Sequence, residues 1–153
     1  MSESAASTPG GEAAASLGIP FAEIRYGKVS SVEEAAAARG VFVAAVVKSL
    51  LVRRGEGDHL LVLVPGDRSI SWPKLRSLLG VSRLSMPDAD TAFEVTGYRR
   101  GTITPLGVEL PVVVDQRVRG PITLGSGEPG VAIGLDADAL IAVLGATVAD
   151  VSE

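Results

Sequence analysis

Hydrophobic residues along this chain occur both in continuous runs and at positions three or four apart, and these patterns predict strands and helices respectively. Residues 46–54 and 60–64 are β-branched and aliphatic runs, and the glycine-rich residues 55–58 between them are typical of a turn. The two runs therefore predict a β-hairpin. Further strands are expected over residues 19–26, 101–104, 111–116, 121–124, 131–135 and 146–151.

Five helices are predicted from capping residues and from helical spacing of apolar residues. The sequence SVEE at residues 31–34 has capping-box spacing before an alanine run, and Gly40 should end that helix. The other helices are expected over residues 12–17, after Ser71, after Asp88 and, capped by Asp136, over residues 137–144. Strands and helices mix without strict βα repeats, which predicts an α+β fold with a mixed sheet.

The length of 153 residues and the hydrophobic content of 46% fit one compact domain with a substantial core. Residues 1–11 are small and polar and are interpreted as a flexible N-terminal tail, which leaves 12–153 as the domain. The N-terminus lacks the pattern of a secretory signal, and the apolar runs are too short to cross a bilayer. We therefore expect no contact with membranes.

The composition excludes several kinds of site. The chain has no cysteine, which rules out disulfides, a thiol nucleophile and thiolate-bound zinc, and which fits the reducing cytoplasm. Its one histidine, His59, is predicted at the tip of the hairpin on the surface, which argues against a Ser-His-Asp triad and a histidine-based metal site. Neither common phosphate-loop pattern is present. We therefore expect no metal and no organic cofactor.

The charge is unevenly distributed. The net charge is −4, yet residues 48–119 hold eleven Lys and Arg against eight Asp and Glu, and the rest of the chain holds three against ten. The positive middle segment could present a basic face to phosphates, or it could simply be solvated surface charge.

Three segments carry candidate chemistry. Lys48 interrupts an apolar strand, so it either faces a ligand phosphate or carbonyl or lies on the solvent face. Residues 97–107 (GYRRGTITPLG) hold glycines whose backbone N–H groups could bind an oxyanion, or they form an ordinary turn. Residues 125–130 (GSGEPG) form a loop with one hydroxyl, which by itself is a weak signal.

Taken in order, these segments resemble the YbaK/EbsC family, which is related to the editing domain of bacterial prolyl-tRNA synthetase. The resemblance covers roughly residues 17–152 and includes VVKSLLV, GYRRGTITPLG, LPVVVD, GSGEPG and the closing DADALIAVLGATVADVS. It implies a compact α+β domain around a mixed, partly barrel-like sheet with flanking helices. It also implies a cytoplasmic, metal-independent hydrolase that removes a wrong small amino acid, such as cysteine or alanine, from proline tRNA.

The resemblance implies roles for particular residues. Lys48 matches the family's functional lysine and would hold the 3′-terminal phosphate or polarise the ester, while Gly101 matches the glycine near the reacting carbonyl. Backbone N–H groups around Gly101 would then stabilise the oxyanion, and the base would be a substrate group or an oriented water. The remaining residues implied to bind the aminoacyl 3′ end of the tRNA are Tyr26, Ser49, Thr102, Thr104, Pro105, Ser126 and Gly127.

The sequence departs from the family pattern in ways that leave the amino acid open. Gly101-Thr102 stands where family members have two glycines, the loop serine falls one position later at Ser126, and Ala132 replaces an acidic residue. The histidine-bearing loop of the alanine-specific branch is absent. Two other functions stay open: a non-catalytic module that binds tRNA or a synthetase such as prolyl-tRNA synthetase, and a binder of nucleotides or other small molecules.

Overall fold

Two small β-sheets carry the fold in the computed structural model, which describes residues 7–27 and 29–153. The first sheet has three antiparallel strands in the order β1-β6-β5, and the second has four strands in the order β2-β3-β4-β7. In the second sheet, β2 and β3 form the antiparallel hairpin, and β4 and β7 add in parallel. The strands are β1 Ala22–Arg25, β2 Val47–Gly55, β3 Asp58–Pro65, β4 Val112–Asp115, β5 Pro121–Gly125, β6 Val131–Asp136 and β7 Thr147–Ala149.

Five α-helices and a short 3₁₀ turn at Val43–Ala45 surround the sheets in the described part of the chain. The four predicted caps are confirmed: each side chain accepts a hydrogen bond from the backbone N–H three residues later. Glycines in the left-handed conformation end the helices, as expected at Gly40. The helices are α1 Pro9–Leu17, α2 Val32–Arg39, α3 Trp72–Leu79, α4 Ala89–Thr96 and α5 Ala137–Leu144.

The core lies on both faces of the four-stranded sheet. Leu61 and Leu63 of β3 pack into a cluster between the two sheets, whereas Val62 and Val64 pack into a second cluster beneath α3. Because β3 is buried on both faces, its sequence is a continuous apolar run instead of an alternating one.

The two sheets meet at one point. Val46, just before β2, forms a parallel bridge with Thr123 of β5, so the β2 edge of one sheet adjoins the β5 edge of the other. This junction confirms the predicted α+β class with a mixed, partly barrel-like sheet. Lys48 lies on β2, which is the edge strand of its own sheet, and within the described residues the bridge next to it adjoins the other sheet.

Several element boundaries differ from the predictions. Residues 101–104 form turns, not a strand, because Gly101 adopts a positive φ of 92° and the Thr102 N–H bonds back to the Arg99 carbonyl. Strands β1 and β7 are shorter than predicted. Residues 9–11 of the predicted flexible tail belong to the folded domain. Helix α1 begins at Pro9, and the Gly10 N–H donates to the Ser126 carbonyl. Residues 1–6 lie outside the described part.

His59 is not at the hairpin tip. It lies within β3 opposite Arg53 and is half-buried, and its Nε2 atom is buried without a hydrogen-bond partner among the described residues. The turn is shorter than predicted, which moves His59 into the strand. No helix in the described ranges is long and apolar enough to cross a bilayer.

Candidate functional site

A cavity of about 450 Å³ opens where the two sheets meet. Its walls come from α2, the first half of β2, residues 86–87, residues 100, 101 and 103, and the end of β5. The inner wall is apolar, and the rim carries hydroxyl and cationic groups. Four predicted site residues line this cavity together: Tyr26, Lys48, Ser49 and Gly101.

Lys48 lies in the first part of β2, with its ammonium half-buried. The ammonium donates a hydrogen bond to the backbone carbonyl of Arg68, which follows β3. Burial lowers the pKa of Lys48, and the nearby Asp67 carboxylate opposes that shift. The Arg68 carbonyl takes one of the three N–H donors of the ammonium, so among the described residues two donors remain for a ligand.

Ser49 projects to the opposite face of β2 from Lys48, because successive side chains on a strand alternate. Its neighbours on that face, Val47 and Leu51, belong to the cluster between the sheets. The Ser49 hydroxyl oxygen is buried and has no hydrogen-bond partner in the described part of the chain. A buried hydroxyl without a partner is unfavourable by about 1–3 kcal/mol, so Ser49 is a strong candidate to contact a ligand.

Arg39 and Tyr26 form a pair in the cavity wall. The Arg39 guanidinium lies 4.9 Å from the centre of the Tyr26 ring and donates to the Tyr26 hydroxyl at 3.2 Å and to the Thr123 hydroxyl at 3.1 Å. Its Nε atom is buried and has no partner among the described residues. Arg39 is the last residue of α2. A lone arginine at a helix end is common, so no sequence signal marked it as part of the site.

Gly101 sits at the cavity mouth in an exposed turn. A side chain added there would meet no protein atom within 4 Å, so the positive φ, and not crowding, is what requires glycine. Within residues 7–27 and 29–153, the Gly101 N–H makes no backbone hydrogen bond. It is therefore available to a ligand, as the resemblance implies for the oxyanion donor.

Gly125 brings the Gly101 turn against the sheet. A Cβ at Gly125 would lie 2.6 Å from the Ile103 carbonyl oxygen and 2.8 Å from that of Thr102. Two residues further on, the Gly127 N–H donates to the Thr102 carbonyl at 2.9 Å. Only glycine at position 125 permits this close backbone approach.

The other five predicted residues do not line the cavity. Thr104 and Pro105 are buried, and the Thr104 hydroxyl accepts from the Leu106 N–H. The fully buried Ser126 hydroxyl donates to the Val131 carbonyl at 2.7 Å, which makes it a loop-closing group. Thr102 and Gly127 hold the two loops together through the bond already described.

The described residues contain no group of three or more His, Cys, Asp or Glu side chains arranged to hold a metal ion.

Comparison with known sequences places this chain in a family. The family model of the aminoacyl-tRNA editing domain matches residues 27–143, which is more than half of the chain. The chain therefore belongs to the aminoacyl-tRNA editing domain family, as the resemblance predicted.

Two curated relatives are proline–tRNA ligases. That of Geobacter sulfurreducens is 35% identical over 101 residues, covering 66% of this chain and 18% of the ligase. That of Desulfovibrio desulfuricans is 37% identical over 90 residues, covering 59% of this chain and 16% of the ligase. The chain thus spans less than a fifth of the length of these relatives.

A solved structure resembles the whole chain. The crystal structure of a protein described as a candidate trans-editing enzyme for prolyl-tRNA synthetase is 27% identical and superposes with a TM-score of 0.84. The match covers 97% of this chain and 99% of that protein. The fold is therefore shared with a protein of nearly the same extent as well as with a domain inside a synthetase.

Proposed function

We propose that this protein is a metal-independent aminoacyl-tRNA deacylase that acts in trans on a mischarged proline tRNA carrying a small amino acid such as cysteine or alanine. The observation that carries the proposal is the pair of buried polar atoms in the cavity, the Ser49 hydroxyl and the Arg39 Nε, which have no partner among the described residues. Such atoms fit a polar ligand that completes their hydrogen bonds. This role would place the protein in the cytoplasm.

The inner wall suits a small amino acid. Val47, Leu51, Ala92 and Ile103 line the cavity and are buried, so the innermost surface is apolar and carries no charge. A short, uncharged side chain would fill that wall, whereas the ester and ribose would remain near the polar rim.

The reaction is hydrolysis of the ester between amino acid and ribose. The oxygen of a water molecule forms a bond to the ester carbonyl carbon, the carbonyl oxygen becomes an oxyanion, and the bond from carbon to the ribose oxygen then breaks. The ribose oxygen takes up the proton that the water loses. The proton is carried by a substrate group or by a second oriented water, since the one histidine does not line the cavity.

The polar groups on the rim would act at two places. The Gly101 N–H and the Ser49 hydroxyl would donate to the developing oxyanion, which is the charge that increases in the transition state. Of the cations in the cavity wall, Lys48 and Arg39 would hold the 3′-terminal phosphate or polarise the ester. Arg39 is held in place by Tyr26 and Thr123, so little side-chain entropy is lost when it binds.

The test is deacylation of cysteinyl-, alanyl- and prolyl-tRNA for proline by the purified protein. We expect faster hydrolysis of the two mischarged species than of prolyl-tRNA. Ser49→Ala should reduce the rate by about tenfold to a hundredfold, since it removes one oxyanion donor, while the exposed Ser77→Ala on α3 should leave it unchanged. If the wild type hydrolyses none of a broad panel of mischarged tRNAs but binds tRNA, the binding-module function replaces this one.

A further inference from the structure

A second concave surface, which we call the arginine groove, lies at the far end of β2. Four arginines line it, Arg53, Arg54, Arg76 and Arg83, together with residues 82–85. Its volume is about 490 Å³, and none of the described residues that line it is acidic. The groove gathers four of the chain's 14 basic residues in a protein whose net charge is −4.

Most of this positive charge is not neutralised within the protein. Arg54 forms a two-pronged ion pair with Asp58, with both N–O distances near 3 Å. Among the described residues, by contrast, Arg53, Arg76 and Arg83 form no ion pair. Arg53 and Arg83 are exposed, and Arg53 makes only one long side-chain bond, to the Gly55 carbonyl. Clustered like charges without counter-ions are unfavourable and are relieved when an anion binds.

One stretch of chain lines both the arginine groove and the cavity. Two backbone hydrogen bonds between Arg53 and Ser85 fasten residues 82–85 to the edge of β2. Leu84 and Ser85 line the groove, and the next two residues, Met86 and Pro87, line the cavity. Consecutive residues of one segment, 84–85 and 86–87, therefore line the arginine groove and the cavity respectively.

Another arginine, Arg100, adds positive charge at the cavity mouth. The Arg100 side chain lines the cavity and donates to the Pro87 carbonyl at 2.7 Å. Lys48 and Arg53 are five residues apart on β2, which is about 17 Å for an extended strand. A ligand whose end lies in the cavity would thus need several more phosphates to reach the arginine groove.

We propose that the arginine groove binds the phosphate backbone of the tRNA acceptor end while the aminoacylated 3′ terminus occupies the cavity. This inference rests on the proposed function. A polynucleotide fits because it presents a regular series of phosphates, and arginine binds phosphate oxygens with two parallel N–H groups. These contacts would position the substrate and would not depend on base sequence.

The test compares a double variant, Arg53→Ala with Arg83→Ala, against the wild type and against Arg119→Ala. Arg119 is an exposed arginine outside both surfaces and is the matched control. Binding of uncharged proline tRNA is measured across a range of salt concentrations. Hydrolysis is measured on cysteinyl-tRNA for proline and on a cysteinyl ester of adenosine, which has no acceptor stem to reach the arginine groove.

We expect the double variant to weaken tRNA binding tenfold or more and to reduce the slope of log K against log salt by about one to two. Its KM for cysteinyl-tRNA should rise with kcat preserved, and hydrolysis of the adenosine ester should be unchanged. The Arg119→Ala protein should behave as the wild type.

Other results would overturn the proposal. Unchanged tRNA affinity and salt slope would show that the arginine groove does not bind RNA, and a selective loss of affinity for prolyl-tRNA synthetase would make it a protein-binding surface instead. Equal loss on both substrates would show damage to the cavity. Because binding of uncharged tRNA needs no catalysis, a wild type without deacylase activity would refute the proposed function, while the binding measurement would still decide this inference.

Discussion

Lys48 and Ser49 are neighbours on β2 but face opposite sides of the sheet, so the edge position of β2 is what lets both line one cavity. A central strand would be covered on both edges, and the two side chains would then lie in separate layers. The half-buried ammonium and the buried hydroxyl therefore depend on the same structural feature.

Lys48→Ala should reduce deacylation by on the order of a hundredfold or more, because it removes a preorganised cation from the site. Lys48→Arg should also be poor, since a planar guanidinium replaces a compact ammonium. Stability should barely fall, because the lost bond to the Arg68 carbonyl is offset by relief of the desolvation cost. The measurements are hydrolysis rates with thermal melts followed by circular dichroism. Near wild-type turnover of Lys48→Ala would contradict the mechanism.

The pH dependence of stability provides a second test of how Lys48 is buried. Burial lowers the pKa of Lys48 below its unfolded value of 10.5, so the folded state binds fewer protons than the unfolded state between the two values. The cost of the buried charge is therefore present below the folded pKa and disappears as the pH rises toward 10.5. Relative to the wild type, Lys48→Met should be more stable near pH 7 than near pH 10.

At the scale of elements, the site depends on how closely one loop approaches the end of a strand. The Gly101 turn lies against the end of β5 because Gly125 leaves room for the Thr102 and Ile103 carbonyls. Ser126 holds the following loop through its bond to the Val131 carbonyl. These contacts set the position of the Gly101 N–H without touching a ligand.

Gly125→Ala should lower deacylation at least tenfold and destabilise the fold by about 1–3 kcal/mol, since a Cβ at 2.6 Å from a backbone oxygen forces the loop to move. Gly134→Ala on β6 is the matched control. Its Cβ would meet the flexible end of the Ile24 side chain at 3.2 Å, which can shift. Rates and melting temperatures are compared for both variants. Equal behaviour of the two would refute the role of this contact.

At the scale of the whole molecule, the same fold occurs in two settings. Its sequence matches part of two proline–tRNA ligases, and its structure matches nearly all of a protein described as a candidate trans-editing enzyme. A chain that acts in trans needs its own contacts with the acceptor end, which is the task proposed for the arginine groove.

We expect that catalysis by the whole protein does not require a metal ion. The chain has no cysteine, and its one histidine lies on β3 away from the cavity lining. Deacylation of cysteinyl-tRNA for proline should therefore be unchanged after treatment with EDTA and gel filtration. Loss of activity that a single added metal ion restores would show that this prediction is wrong.

Local sequence determined most of the secondary structure. The capping residues predicted four helix starts, and α5 was predicted with its observed bounds. The hairpin and the α+β class were also predicted, because caps, turns and apolar periodicity act over a few residues. The mistaken strand at 101–104 shows the limit of this reasoning, because its one large apolar residue, Ile103, packs into the core from an irregular segment.

The sequence by itself determined the family, because its motifs occur in the family's order, and it placed Lys48 beside Ser49 because the two are consecutive in the chain. Only the tertiary structure decided that Arg39 joins Tyr26, that Ser126 closes a loop away from the cavity, and that residues 53, 76 and 83 form one groove. These residues are far apart in the sequence, and their proximity comes from strand order and from backbone contacts such as Arg53 with Ser85. Local propensity carries no information about such long-range contacts, so folding had to bring them together.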